Sequence, residues 1–262
     1  MLPDFEMIIH KFPKREDITI IPIADVHLGA RECMEQEFID FIDRVKDLPN
    51  TYFVICGDLL SNGVKNSITN IYEETMRPSS AKKMMAEILK PIAERCLCVT
   101  NGNHERRSGR EVDDSPLYDI CAKLDIEDRY RENMAFMKLQ FGNQDASGDR
   151  NPTYTIVVSH GSGGGSVLTG AGINKTERFS AYIDNCDAFI SGHTHRPSVT
   201  QPGKIVIDTH NNKVSIKPFK VVTATSWLNS GGYSLQKLLT PTSHALQTLK
   251  LCGTHKEMVV TM

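Results

Sequence analysis

Short apolar runs alternate with helically spaced apolar positions through the first half of the chain. Ile18 to Ala24 is a largely apolar run of strand length, and Glu35 to Leu48 follows with Phe38, Phe41, Ile42 and Val45 at helical spacing. Tyr52 to Cys56 reads as the next strand. Ser80 to Cys96 places Met84, Met85, Ile88, Leu89 and Ile92 on one side of a helix, which Pro91 is expected to kink. Leu97 to Thr100 is a third strand, and Ser115-Pro116 supplies an N-cap and first turn for a helix to Leu124. This alternation predicts a mostly parallel sheet. Pro22 removes a ladder donor from a central strand, so a bulge or an early strand end is expected there. The second half is richer in strands: Phe136 to Phe141, Tyr154 to Ser159, Ala188 to Ser191, Lys204 to Asp208, Val214 to Thr225, Ala245 to Leu251 and Met258 to Thr261. A helix from about Lys175 to Asp184 interrupts them, and Asn211-Asn212 suits a hairpin turn. Gly142 to Pro152 and the GSGGGS run from Gly161 to Ser166 read as loops.

Composition narrows the class. The chain has 262 residues, 40% hydrophobic and 24% charged, with a formal net charge of −2. That is enough to bury a core, and it argues against coating nucleic acid or membrane by bulk charge. The seven cysteines are odd in number and scattered, with no CxxC pair, which points to reduced thiols in a cytoplasmic protein. Cys96 and Cys98 fall in a strand as small buried hydrophobes. The first residues lack the apolar segment of a signal peptide, and no apolar run reaches membrane-spanning length.

The chemistry gathers where strands end. Ile18 to Ala24 runs into Asp25-Val26-His27, and Tyr52 to Cys56 into Gly57-Asp58. Leu97 to Thr100 leads to Asn101-Gly102-Asn103-His104-Glu105, Tyr154 to Val158 to Ser159-His160-Gly161, and Ala188 to Ile190 to Gly192-His193-Thr194-His195. Ligand sites in α/β sheets lie beyond the carboxyl ends of strands, so these five ends can converge. In extended backbone residues i and i+2 point the same way, which would aim Asp25 with His27, and His193 with His195, at one spot. Imidazole, carboxylate and side-chain amide suit Mn, Fe or Zn. The set holds no thiolate, which argues against a closed structural zinc site. His10, His210, His244 and His255 belong to no such cluster and read as surface or satisfied core residues.

In this order, DxH, GD, GNHE, H and GHxH resemble the signature of the calcineurin-like metallophosphoesterase superfamily. The resemblance runs from about Ile18 to Arg196. Asp25-Val26-His27-Leu28-Gly29 is most similar to the SbcD-type nuclease and lipid-precursor hydrolase branches, and the glycines after His160 resemble phage and prophage members. The resemblance implies an α/β (α+β) fold, a two-sheet β-sandwich flanked by helices, with residues 1–262 as a single domain. It implies two divalent metal ions, Mn foremost and Fe or Zn as alternatives. Asp25, His27 and His195 would hold one, Asn103, His160 and His193 the other, and Asp58 would bridge them. His104 would stand beside them as the catalytic residue. The implied activity is hydrolysis of phosphoesters by attack of a metal-bound hydroxide, as a phosphodiesterase or nuclease acting on nucleic acid or nucleotide. Alternatives are a phosphomonoesterase on a small metabolite or protein, and a non-catalytic metal-dependent scaffold. No membrane partner is expected.

The phosphoprotein phosphatases of that superfamily extend the second motif to GDxVDRG. Here Ser61 replaces the aspartate that supports their catalytic histidine, and Asn62 replaces their phosphate-gripping arginine. A linker at GSGGGS would split the candidate ligands between mobile bodies, so the run reads as a loop whose backbone can approach a phosphate. Lys175 and Arg178 behind it are candidate substrate contacts or a solvated helix face. Arg106, Arg107 and Arg110 form a basic cluster able to attract a polyanion.

Overall fold

The computed structural model describes residues 5–65, 67, 71–142, 151–163, 170–236, 241 and 243–262. In chain order the strands are β1 (Ile8–Phe12), β2 (Ile18–Ile23), β3 (Thr51–Ile55), β4 (Cys96–Thr100), β5 (Tyr130–Arg131), β6 (Met134–Phe141), β7 (Thr153–Ser159), β8 (Ala188–Ser191), β9 (Ser198–Thr200), β10 (Gly203–Asp208), β11 (Lys213–Pro218), β12 (Lys220–Thr223), β13 (Thr248–Leu251) and β14 (Met258–Thr261). The helices are α1 (Glu35–Val45), α2 (Pro78–Leu89), α3 (Glu105–Val112), α4 (Pro116–Lys123), α5 (Gly170–Ser180) and α6 (Gly232–Gln236).

Two six-stranded sheets form the body, one in the order β1-β6-β7-β8-β12-β9 and the other β14-β13-β2-β3-β4-β5. In the second, β2 to β5 are parallel, as the alternation of strands and helices predicts, and β13 and β14 close it antiparallel. The first sheet is mixed. Strand β6 alternates partly and fully buried residues along its length, and Ala135, Met137, Leu139 and Phe141 point at the facing sheet. There they meet Ile18, Ile20, Val54, Cys56, Leu97 and Cys98, so one apolar layer joins the two sheets. The opposite side of β2 and β3 offers Ile21, Ile23, Phe53 and Ile55 to α1, α2 and α4. Phe38, Phe41, Met85 and Leu117 cover them. Burial on both faces explains why the parallel strands read as continuous apolar runs. Among the described residues no helix is long and apolar enough to cross a membrane.

Several boundaries depart from the sequence pattern. Helix α2 starts at Pro78, and Pro91 does not kink it; the helix tightens into a 3₁₀ segment over Lys90–Arg95 that absorbs the missing donor. Ser115 precedes α4 without a side-chain capping bond. The run from Val214 to Thr225 divides at Phe219 into β11 and β12, and α5 begins at Gly170 instead of Lys175. Asn212, at φ 53°, turns the β10–β11 hairpin. Pro22 sits in an unbroken β2 opposite Val54. Ile23 and Asp25 bond toward β3, so the imino side of Pro22 faces β13, whose pairing with β2 stops at Ile20. The missing donor therefore has no acceptor to disappoint.

Candidate metal centre and catalytic site

Each strand end named by the sequence delivers its residue to the same edge. Asp25 and His27 follow β2, Asp58 follows β3, and Asn103 and His104 follow β4, all from one sheet. His160 follows β7 and His193 and His195 follow β8, from the other. The site therefore straddles the carboxyl edges of both sheets, and all eight predicted residues meet there.

The local backbone is not extended, contrary to the i, i+2 argument. Asp25, His27 and Asp58 each adopt φ 52°, and His193 and His195 adopt 70° and 55°. These are left-handed turns, a conformation that Asp, Asn and His tolerate better than most residues. Hydrogen bonds over-determine the turns. The Asp25 amide donates to Gly57 O at 3.1 Å and that of His27 to Asp58 O at 3.0 Å. The His193 amide donates to Asp25 Oδ2 at 2.8 Å, and that of His104 to Asp58 Oδ1 at 2.9 Å. The loops cross so closely that a Cβ on Gly102 would lie 2.0 Å from Asp58 Oδ1, and one on Gly192 2.7 Å from Asp25 Oδ2. Only glycine admits these crossings.

The side chains form two adjoining nests. In one, Asp25 Oδ1 is 3.4 Å from His195 Nε2 and 3.9 Å from His27 Nε2, and the two imidazole nitrogens are 3.2 Å apart. In the other, His160 Nε2 lies 3.2 Å from Asp58 Oδ2, 2.9 Å from Asn103 Oδ1 and 3.1 Å from His193 Nδ1. Asp58 Oδ2 is also 3.8 Å from His27 Nε2, so it faces both nests. His160 Nδ1 lies 2.7 Å from the Cys56 carbonyl, which can only accept, so Nδ1 carries the hydrogen and Nε2 presents a lone pair whenever the ring is neutral. Several lone pairs thus converge with few hydrogens to share. Asp25 Oδ1 is buried with no hydrogen-bond partner. A cation satisfies such a set, and three ligand clusters of suitable size occur here: Asp25-His27-His195, His27-Asp58-His104 and Asp58-His160-His193.

The electrostatics agree. Burial would lower His160, but the Asp58 carboxylate, through charge and hydrogen bond, raises it to about 9. Burial also opposes charge on His195, and Asp25 overcomes it to raise that group. Burial, with neighbouring histidine charge, holds His27 well below its usual value and lowers His193. Asp58 sits well below the carboxylate range because His160, His104 and His27 outweigh its burial.

His104 stands beside the nests, its Nε2 3.9 Å from Asp58 Oδ2. Its Nδ1 donates to the Ser61 carbonyl at 2.8 Å, which leaves Nε2 facing the site. Support for this histidine therefore comes from the backbone of Ser61, while the Ser61 hydroxyl donates to Glu74 Oε1 at 2.7 Å. Asn62 is buried and gives its amide to His104 O and Ser108 Oγ, both at 2.8 Å, so it pins α3 and does not face the site.

Two contributors escape the sequence reading. Glu105 is fully buried and accepts the amides of Asp58, Leu60 and Gly102 at 3.0, 3.0 and 3.1 Å, which ties the second motif to the third. Burial, then the Asp58 charge, pushes it up to about 7. The segment after β12 is the other, since the Trp227 amide donates to Asp25 O at 2.9 Å. Glu105 was readable as part of GNHE; nothing in the sequence marks Trp227. The arginine cluster does not hold together. Arg106 bonds the carbonyls of Asn101 and Glu132, Arg107 faces His104 and Arg110 is exposed. Lys175 and Arg178 are exposed on α5. In the glycine run, Gly161 and Gly163 take φ 91° and 107°, and residues 164–166 lie outside the described ones.

A family model described as calcineurin-like phosphoesterase matches residues 18–197, the span that carries all eight predicted site residues. The chain belongs to this family. The two-sheet sandwich flanked by helices is the fold expected of it. Among solved structures it is similar to an NAD nucleotidase from Haemophilus influenzae, at 11% identity and a TM-score of 0.41 over 95% of this chain and 50% of that one. The chain thus spans half the length of that protein. No curated protein matches it.

Proposed function

We propose that the protein is a two-metal phosphodiesterase, with nucleotide or nucleic acid as the substrate class. Asp25, His27 and His195 would hold one ion, Asn103, His160 and His193 the second, and Asp58 would serve both. The observation that carries this reading is the convergence of lone pairs around His160 Nε2 and the unpartnered Asp25 Oδ1. The nitrogen and oxygen donors suit Mn, with Fe or Zn as alternatives. Two such ions would supply a nucleophilic water and neutralise the phosphoryl oxygens.

The chain's own residues do the rest. Cys56 O fixes the tautomer of His160, and the split bonding of Asp25 leaves Oδ1 for the site while Oδ2 holds the His193 backbone. Ser61 O orients His104 so that Nε2 faces the site, where the ring, once it has taken up a proton, can give it to the departing oxygen. The buried Asn62 supports a reading away from the phosphoprotein phosphatases. Strands β12 and β13, beyond the matched span, lie within the two sheets, which supports one catalytic domain over 1–262. Seven unpaired cysteines fit a cytoplasmic location.

The test is Mn²⁺-supported hydrolysis of bis(p-nitrophenyl) phosphate against p-nitrophenyl phosphate, with His104→Ala as background. Faster diester cleavage is expected. A monoester preference would replace the diester reading, and no turnover of either by metal-loaded protein would overturn the catalytic one.

A further inference from the structure

We propose that Arg107 is the residue that grips the phosphoryl oxygens of the substrate, an inference that rests on the phosphoesterase reading. Three arginines cluster in sequence on α3, and the fold gives them separate fates. Arg106 is spent on the carbonyls of Asn101 and Glu132, and Arg110 is exposed. Arg107 alone turns inward. Its Nη2 lies 3.0 Å from His104 Nε2, and its Nη1 reaches Ser67 Oγ at 3.4 Å.

These are poor partners for a guanidinium. It carries five donors in a planar fork, and among the described residues they meet one imidazole nitrogen and one distant hydroxyl. Its preferred partner is a carboxylate or phosphate taken by two parallel bonds. Burial disfavours its charge and lowers its pKa, and the carboxylates of Asp58, Glu74 and Glu105 offset this only in part and from a distance. All three are otherwise engaged: Asp58 with the nests, Glu74 with Ser61 and Glu105 with the backbone. The fork is thus held half-buried beside His104, with its capacity for an anion unused.

The placement matches the chemistry. His104 Nε2 is 3.9 Å from Asp58 Oδ2, so a group touching His104 borders both nests. A phosphoryl group bound across the nests would present its remaining oxygen toward this rim. Arg107 would then exchange its weak bond to His104 for a fork on that oxygen, and so free Nε2 to take up a proton and pass it to the leaving group. Asn62 cannot serve, because its amide is buried against α3. The guanidinium that the second motif lacks is supplied one loop later.

The test measures binding of inorganic phosphate to Mn²⁺-loaded protein by titration calorimetry, in wild type, Arg107→Met and Arg107→Lys, with metal content measured in each. Phosphate affinity should fall at least tenfold in Arg107→Met and recover in part in Arg107→Lys, with metal content unchanged. With a phosphodiester substrate KM should rise more than kcat falls. Phosphate affinity within twofold of wild type in both variants would overturn the proposal, and a loss confined to kcat would make Arg107 a mere orienter of His104. No phosphate binding by wild type would overturn it too. If wild type binds phosphate through Arg107 but turns over no ester, the proposal stands and the catalytic reading fails.

Discussion

His104 and Asp58 are neighbours with separable duties. His104 touches the metal nests only at their rim, so His104→Ala should keep both ions and lose ~10²- to 10⁴-fold in kcat, about 3 to 5 kcal/mol of barrier. Elemental analysis beside steady-state kinetics checks this; unchanged kcat would remove His104 from the mechanism. Asp58 Oδ2 faces both nests, so Asp58→Ala should lose metal. Full occupancy in that variant would contradict the bridging role. Protons compete for the same lone pairs. His160 is raised to about 9 without a cation, so its Nε2 is protonated at neutral pH and a metal must displace that proton. Affinity for Mn²⁺ should therefore climb about tenfold per pH unit up to about pH 9 and level off above it. A flat profile from pH 7 to 9 would deny His160 a place among the ligands.

Helix α3 matters more to the site than its composition suggests. It buries Glu105 and Ser108, not apolar side chains, so hydrophobic periodicity cannot reveal it. The strand-end motifs were legible because each apolar run stops where its ligand begins. The left-handed turns at Asp25, His27, Asp58, His193 and His195 were not, because alternation assumes extended backbone, whereas glycine-permitted loop crossings decide the local geometry here. Pro22 likewise depends on where β13 stops, which is a tertiary fact. Glu105 joins α3 to the loops after β3 and β4 by accepting three buried amides. Removing it leaves those donors without a partner, so Glu105→Ala should cost on the order of 3 kcal/mol in denaturant unfolding. It should also loosen metal binding, since the Asp58 amide is one of the three. A stability change under ~0.5 kcal/mol, the size of a neutral surface substitution, would mean that water replaces the carboxylate and that α3 is held by other contacts.

At the scale of the whole molecule, the cysteines are built-in probes of its layers. Cys56 and Cys98 lie between the two sheets, Cys96 and Cys121 between one sheet and its helices, and Cys186 in the small cluster around Val157 and Phe189. All five are buried, and burial pushes the thiols of Cys96 and Cys186 up to about 12 and about 11. Cys33 is half-buried, pushed up to about 12 by burial, and donates to Val26 O. Cys252 differs: it is half-exposed, with Sγ 3.1 Å from His255 Nδ1, whose Nε2 lies 3.0 Å from Glu257. A thiol reacts as its thiolate, a form that burial disfavours. A disulfide reagent should therefore label Cys252 first and Cys33 slowly in native protein. The remaining five should react only as the fold opens. Because the apolar layer around Cys56 and Cys98 is shared by both sheets, they should become reactive at the same denaturant concentration as Cys121 and Cys186 if 1–262 unfolds as one unit. Labelling of Cys186 well before Cys121, read by mass spectrometry across a denaturant series, would show the sheets coming apart separately. A metal site straddling both edges then could not keep fixed geometry by fold alone, and would depend on its ions to hold the halves together.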